Sequence, residues 1–393
     1  MKQGWVTDRF QDVVFLQEGP GIRKYEYQND GYPMINVRCV QDGFIDMTKS
    51  RSANYELATT KWKHFQIEEG DILFTISGTI GRSAIVKKSD LPLLMNTSVV
   101  RFRPLTNELD RRFLYHIVRG KKFQDDLINQ STGTAIKNVG PSHLKKITIS
   151  YPPLPEQKCI VAKLDQAFEA IDKAKANVER NLQNAKDLFQ SQLNQIFSKE
   201  GGGWVEITLG DLGKVSMCKR IMKHQTSPAG DIPFYKIGTF GETPNAFIDS
   251  DTYQEFKQKY SFPKKGAILI SASGTIGRRV IYDGEPAYFQ DSNIVWIDNN
   301  EELVLNEYLY QFYGVCDWNP SKGATISRLY NDDLRRIRIS FPNIDEQMEL
   351  VGIMKKLNEK TQSLIHQYQH QLNNLFEMKN SILQKAFNGE LSD

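Results

Sequence analysis

The chain has 393 residues, 50 Lys+Arg against 47 Asp+Glu for a formal net charge of +3, and is 40% hydrophobic and 25% charged. That length exceeds what one core usually supports, so two or more domains are expected, with the composition of a globular protein rather than a disordered or fibrous one. No run nears the roughly 18 apolar residues of a membrane span, the start MKQGWVTDRF lacks the apolar core of a signal peptide, and Cys39, Cys159, Cys218 and Cys316 form no C-x-x-C pair; the expectations are a cytoplasmic protein with no membrane partner, no zinc site and reduced thiols.

In chain order, YPMINVR (32–38), GDILFTIS (70–77), SAIVKK (83–88) and SVVRFRP (98–104) have the β-branched, alternating or continuously apolar character of strands, and DRRFLYHIVRGKKFQDDLI (110–128) reads as a helix. From Glu156 to Phe197 there is neither Pro nor Gly, and Val161, Leu164, Phe168, Ile171, Val178, Leu182, Ala185, Phe189 and Ile196 recur in steps of three and four, interrupted at Lys175 and Gln192. This predicts one long helix with a heptad-like seam, about 60 Å long. A second set of strands follows in IPFYKIG (232–238), GAILISAS (266–273), RVIYDG (279–284) and NIVWID (293–298), then a helix in NEYLYQFYG (306–314). A second long helix is expected from Glu346, its stripe made by Leu350, Met354, Leu357, Leu364, Tyr368, Leu375, Met378 and Ile382. A stripe of that length needs a partner, and mutual antiparallel pairing is the economical one; folding back on the adjacent domain, or binding another chain, are the alternatives.

The second half repeats the first. Gly4-Trp5-Val6 returns as Gly203-Trp204-Val205 (offset 203 − 4 = 199), GDILFTISGTIGR from Gly70 returns as GAILISASGTIGR from Gly266 (266 − 70 = 196), and the segment from Ser131 aligns without gaps to that from Ser321 (321 − 131 = 190). The period is too long for a solenoid, so two complete domains are expected. Their charge differs: residues 1–150 hold 22 basic and 16 acidic residues, a balance of +6, whereas residues 201–341 hold 16 and 17, a balance of −1. A nucleic-acid partner is plausible for the first and is not demanded by charge for the second.

The repeated hexapeptide SGTIGR (77–82 and 273–278) falls between two strands. Its glycines permit a tight turn and close backbone approach, and its Ser, Thr and Arg offer the groups that hold phosphate. It is neither a Walker A loop nor a dinucleotide fingerprint, and a KH-type G-x-x-G loop joins helices rather than strands. A glycine hairpin needed only for folding and a DNA contact both remain open. His366 and His370 lack the intervening Glu of a zinc protease and read as solvated; Glu255-Phe256-Lys257 and Glu377-Met378-Lys379 read as surface charge. No catalytic residue or metal ligand set is expected.

Leu144-Lys145-Lys146-Ile147-Thr148-Ile149-Ser150-Tyr151-Pro152-Pro153-Leu154-Pro155-Glu156-Gln157 closes the first domain and leads into a long helix; its second copy, Leu334 to Gln347, departs at Asn343 and Ile344. Together with the duplication, this resembles the specificity subunit of type I restriction-modification enzymes over nearly the whole chain. The resemblance implies an α+β fold with two tandem mixed α/β target recognition domains separated by two long helices that pair as an antiparallel coiled coil. The divisions would be 1–155 and 201–345 for the domains, 156–200 and 346–393 for the helices. It implies a non-catalytic subunit reading a bipartite double-stranded DNA site. Its partners would be two methyltransferase (modification) subunits and two restriction motor/nuclease subunits. It would hold no cofactor itself, AdoMet, ATP and Mg being expected only on those partners. The N/D-P-P-F/Y signature of amino-methyltransferases is absent.

Candidate DNA-binding residues are Arg51, Lys61, Lys63, Ser77, Gly78, Thr79, Arg82, Lys137 and Asn138 in the first domain, and Lys219, Arg220, Lys223, Ser273, Gly274, Thr275, Arg278, Arg279 and Arg328 in the second. They are donors and acceptors suited to phosphate and base edges. Positions that differ between copies suit base reading; SGTIGR, being shared, suits backbone contact or folding. Two other classes compete: a self-sufficient enzyme, disfavoured by the missing cofactor motifs, and a coiled-coil scaffold protein binding RNA or proteins through its duplicated domains.

Overall fold

In the computed structural model, the described residues are 4–130, 139–199, 201–319 and 328–391. The first domain runs β1 (Val6–Arg9), α1 (Phe10–Val13), β2 (Val14–Glu18), β3 (Tyr27–Ile35), β4 (Arg51–Ala53), α2 (Tyr55–Thr59), β5 (Ile72–Thr75), β6 (Ser83–Ile85), β7 (Leu94–Met95), β8 (Val99–Pro104), α3 (Arg111–Arg119), α4 (Lys121–Asn129), α5 (Pro141–Leu144) and β9 (Thr148–Tyr151), then enters α6 (Leu154–Phe197). The second runs β10 (Val205–Thr208), α7 (Leu209–Leu212), β11 (Val215–Ser216), β12 (Ile232–Tyr235), β13 (Phe247–Ile248), α8 (Ser250–Lys259), β14 (Ile268–Ser271), β15 (Arg279–Ile281), β16 (Tyr288–Phe289), β17 (Ile294–Ile297), α9 (Asn306–Phe312), α10 (Asn331–Arg336) and β18 (Arg338–Phe341), then enters α11 (Ile344–Phe387).

The repeat in sequence is a repeat in topology. A four-stranded antiparallel sheet β2-β8-β5-β6 matches β11-β17-β14-β15, and a three-stranded sheet β4-β3-β7 matches β13-β12-β16, each with one parallel pair. The first and last strands close each domain: Val6 lies opposite Tyr151, and Val205 opposite Phe341. This is why Gly-Trp-Val and the I-x-I-S-Y/F segment occur as a set.

The predicted helix 110–128 is two helices, broken at Gly120. Asp110 caps the first through its carboxylate, accepting from the Arg112 and Phe113 amides at 2.9 Å each. At Gly120 a Cβ would lie 3.1 Å from the Phe387 ring, so a bare, extended residue stands there and the chain turns into α4. α2 and α8 have no counterpart among the predicted elements: α2 is too short to show a period, and α8 buries only Tyr253.

The long helices begin two residues earlier than expected, and each has 44 residues, about 66 Å at 1.5 Å per residue. The chain forms one unit up to Val178 together with the stretch from His370 onward, and a second unit from Glu179 to Gln369. Inside the first, Phe168 and Ile171 share a core with Leu375, Ile382, Leu383 and Ala386, and Lys379 Nζ donates to Asp172 at 3.0 Å. Inside the second, Phe189, Leu193 and Ile196 share a core with Leu350, Val351 and Met354. The early part of one helix thus meets the late part of the other in both units, which is antiparallel pairing.

The seam differs in detail from the predicted stripe. It passes through Ala174 and Leu193, so Lys175 and Gln192 are exposed positions beside it rather than interruptions within it. On α11, Leu364 and Met378 are exposed while Thr361 is buried, its hydroxyl donating to the Leu357 carbonyl at 2.9 Å, with Ile365 and Leu372 half-buried. Lys379 is not plain surface charge: it is half-buried, 4.9 Å from the Phe168 ring centre.

Each helix is locked to its domain by one glutamine. Gln157 is fully buried; its amide donates to the Glu108 and Pro152 carbonyls, both at 2.7 Å, and its oxygen accepts from the Asp110 amide at 2.8 Å. Gln347, also fully buried, donates to the Leu303 and Pro342 carbonyls at 2.8 Å and accepts from Leu305 at 2.9 Å. The E-Q ending of both long motifs therefore satisfies three backbone groups where strand gives way to helix.

One buried pair differs in chemistry between the two cores. In the first domain Asp71 and Arg101, both nearly inaccessible, pair with each other, Asp71 also accepts from Arg103, and Arg101 also donates to Gln17 and to the Gln66 and His64 carbonyls. Strand register puts Trp296 at the place of Arg101, opposite Ser216 as Arg101 is opposite Gln17. Ala267, which like Asp71 follows the Gly that opens the repeated segment, takes the other place. An ion pair in one copy and an aromatic ring with its N–H held by Asp298 at 2.6 Å in the other serve the same scaffold.

Candidate nucleic-acid interface

Both hexapeptides close β-hairpins, β5–β6 and β14–β15. The turn is pinned by the buried hydroxyl that ends the first strand. Thr75 Oγ1 accepts from the Arg82 amide at 3.0 Å and donates to the Thr79 carbonyl at 2.5 Å; Ser271 Oγ accepts from the Arg278 amide at 2.9 Å and donates to the Thr275 carbonyl at 2.6 Å. Ile80 and Ile276 anchor the loop on their domain cores.

The glycines divide the labour. All four have positive φ: 71° and 95° at Gly78 and Gly81, 68° and 82° at Gly274 and Gly277. A Cβ at Gly81 would come within 2.0 Å of Gln124 Oε1, and one at Gly277 within 2.2 Å of Trp318 Nε1, so these two glycines serve packing. Gly78 has only Val37 nearby, at 3.7 Å, and Gly274 faces open space. Gly78-Thr79 and Gly274-Thr275 are exposed at the tips; Ser77 and Ser273 are half-buried, the latter donating to Asn293 Oδ1 at 2.9 Å. Most of the hexapeptide thus has a folding reason, and what it leaves exposed is the Gly-Thr tip, with the half-buried Arg82 or Arg278 beside it.

Those arginines are held differently. Arg82 is half-buried with no side-chain partner among the described residues. Arg278 donates to the Phe240 carbonyl at 2.8 Å and lies 3.4 Å from Glu242. Arg279 stacks 4.5 Å from the Tyr310 ring centre and packs where a Cβ on Gly314 would fall, so it serves the joint between β15 and α9.

Of the other described candidates, Arg51 opens β4 of a three-stranded sheet, Arg328 pairs with the second hairpin, and the rest lie on connecting segments. Arg51, exposed over the Tyr27 ring at 5.4 Å, shares a wide groove with Lys24, Gln28, Asn29 and Asp30, where β3 slips register between Tyr27 and Tyr32. Lys61 is exposed, 3.9 Å from Glu26 and 5.6 Å from the Trp62 ring centre, and Lys63 is exposed. In the second domain Lys219 sits over Tyr260, Arg220 pairs with Asp291, Lys223 is exposed, and Arg328 bridges to Ser273 and lies over Tyr330. Lys137 and Asn138 lie outside the described residues. Lys24 stands in the first domain where Lys223 stands in the second, an equivalence the offset of 199 would have exposed. Lys236, Gln290 and Asn293 carry no motif signal; only the fold gathers them beside Arg220 and Lys223.

Among the described residues no three His, Cys, Asp or Glu side chains converge to hold a metal ion, and no helix is long and apolar enough to cross a membrane. His366 and His370 are exposed. Burial raises the Cys218 thiol to about 12 and also pushes Cys39 up, consistent with structural thiols.

The family model for the type I restriction modification DNA specificity domain matches twice, over residues 2–180 and 201–374. The chain belongs to that family. It is 47% identical over 262 residues to a Haemophilus influenzae protein named as a type I restriction enzyme specificity subunit, S.HindORF215P, the match spanning 65% of this chain and 66% of that one. It is 25% identical over its full length to the StySPI specificity subunit of Salmonella potsdam, covering 90% of that protein. Among solved structures, a chain from a study of complex assembly and conformational transition in the type I R-M system superposes with a TM-score of 0.78 at 19% identity, over 99% of this chain and 98% of that one. The HsdS subunit of Thermoanaerobacter tengcongensis gives 0.54 at 19% identity over the same shares. These likenesses establish the shared fold.

Proposed function

We propose that this specificity subunit reads a bipartite site on duplex DNA, each globular domain taking one half. The observation that carries the reading is one topology built twice, with the same exposed hairpin tip and with different side chains on the loops beside it. A shared tip suits the phosphate backbone, common to every site, and differing loops suit base edges. In this reading the paired helices set the length of the unread spacer and dock two modification subunits. Two restriction motor/nuclease subunits complete the assembly, and AdoMet, ATP and Mg belong to those partners. The chain itself carries recognition without catalysis, working in the cytoplasm.

The test is enrichment from a randomised duplex library by the full chain with a modification subunit, at several salt concentrations. Two short fixed motifs at constant separation, with affinity falling steeply as salt rises, are expected. Enrichment of no sequence, or of a single uninterrupted one, overturns the reading.

A further inference from the structure

The second domain has a charge balance of −1, yet Arg220, Lys223 and Lys236 converge on one recess of about 260 Å³, floored by Gln290, Asp291 and Asn293. The segment between its strands, 290–293, is one residue longer than its counterpart 96–98. Ser292 within it takes a φ of 53°, unusual for a residue with a side chain. The recess adjoins the hairpin, because Asn293 accepts from Ser273.

Arg220 is presented outward. Its Nε donates to Asp291 Oδ2 at 2.8 Å, and its side chain is 66% exposed while that of Asp291 is 17% exposed. The carboxylate fixes the guanidinium plane by one edge and leaves both terminal nitrogens without partners among the described residues. A planar fork so held matches the paired acceptors on the major-groove edge of guanine, whereas a phosphate contact needs no such orientation.

We propose that Arg220 reads a guanine in the half-site of the second domain, with Asp291 as its positioning residue. This rests on the DNA-reading function proposed above. In the library experiment, Arg220→Ala is expected to relax one position in one half of the site. Discrimination there would fall about 5- to 150-fold, with the other half unchanged. Asp291→Asn, which keeps size but loses the charge holding the guanidinium, is expected to relax the same position to a smaller degree. Because Arg220 is exposed, the thermal melt of Arg220→Ala should match that of the parent chain. A uniform loss across all sequences with a salt slope lowered by about one identifies a phosphate contact and overturns the inference, as does an unchanged motif. Failure of the parent chain to enrich a bipartite motif is a separate result: it removes the functional reading, and this inference with it.

Discussion

Replacing Gln157 by Met tests whether one side chain couples the first domain to its long helix. Met has similar volume and no strong hydrogen-bonding group, so the substitution orphans the Asp110 amide and the Glu108 and Pro152 carbonyls without leaving a large cavity. Each buried unsatisfied group costs about 1–3 kcal/mol. Relaxation at Glu108 and Asp110, which adjoin the surface, will return water to part of the set, so a loss of about 3–5 kcal/mol is expected. Gln157→Glu keeps an acceptor for Asp110 but turns an oxygen toward the Glu108 and Pro152 carbonyls, so at neutral pH it should cost at least as much as Met, and less where acid protonates it and restores one donor. Urea unfolding followed by tryptophan fluorescence gives the size, and hydrogen exchange gives the location, because the Asp110 amide should lose protection before amides at the centre of α6. A loss under about 1 kcal/mol for Gln157→Met, with Asp110 protection unchanged, refutes the reasoning. Gln347 and the Leu305 amide should behave in parallel.

Three further outcomes follow from the cores and the hairpins. Arg101→Ala strips Asp71 of its buried cation while the half-buried Arg103 remains, so a loss of about 3 kcal/mol in urea midpoint titrations is expected; Asp71→Ala, Arg101→Trp and Arg103→Asp together, the second domain's own set with Asp298 accepting from the indole, should recover most of it. Gly81→Ala, at a positive φ, makes the Gln124 carboxamide swing aside and give up its bonds to the Gly81 and Val118 carbonyls, so it should destabilise more than Gly78→Ala, which bears only the backbone strain of about 1 kcal/mol; equal melting shifts would contradict the division between packing and tip. Burial, with Arg119 and Arg112 nearby, pushes His116 down to about 3, so the folded chain keeps it neutral where the unfolded chain protonates it below about 6.5. Asp165, 3.6 Å away, is already engaged by Arg112. Stability should therefore fall as pH drops from 7 toward 5, and His116→Gln, the residue at the matching place in the second domain, should flatten that slope in urea titrations.

The sequence by itself determined the duplication, the two long helices, most of the strands flanking SGTIGR and the family. Each of these is a local pattern or a repetition, and local patterns survive in one dimension. The hexapeptide shows the boundary. Its placement between two strands was legible, but that Gly81 is held by Gln124 and Gly277 by Trp318, while Gly78 and Gly274 face outward, depends on residues 43 and 41 positions away (124 − 81, 318 − 277). The helix seam shows it again: counting threes and fours selects Leu364 and Met378, but the facing helix decides which apolar residues are covered, and it covers Thr361 and Ile365 more than those two. Of the recess beside Arg220, only Arg220 and Lys223 could be named from the chain; Asp291 and Gln290 come to it because parallel pairing of β12 with β16 brings the segment 290–293 alongside. A charge on a loop is visible as a letter, whereas its orientation is fixed only by the neighbour that tertiary pairing supplies.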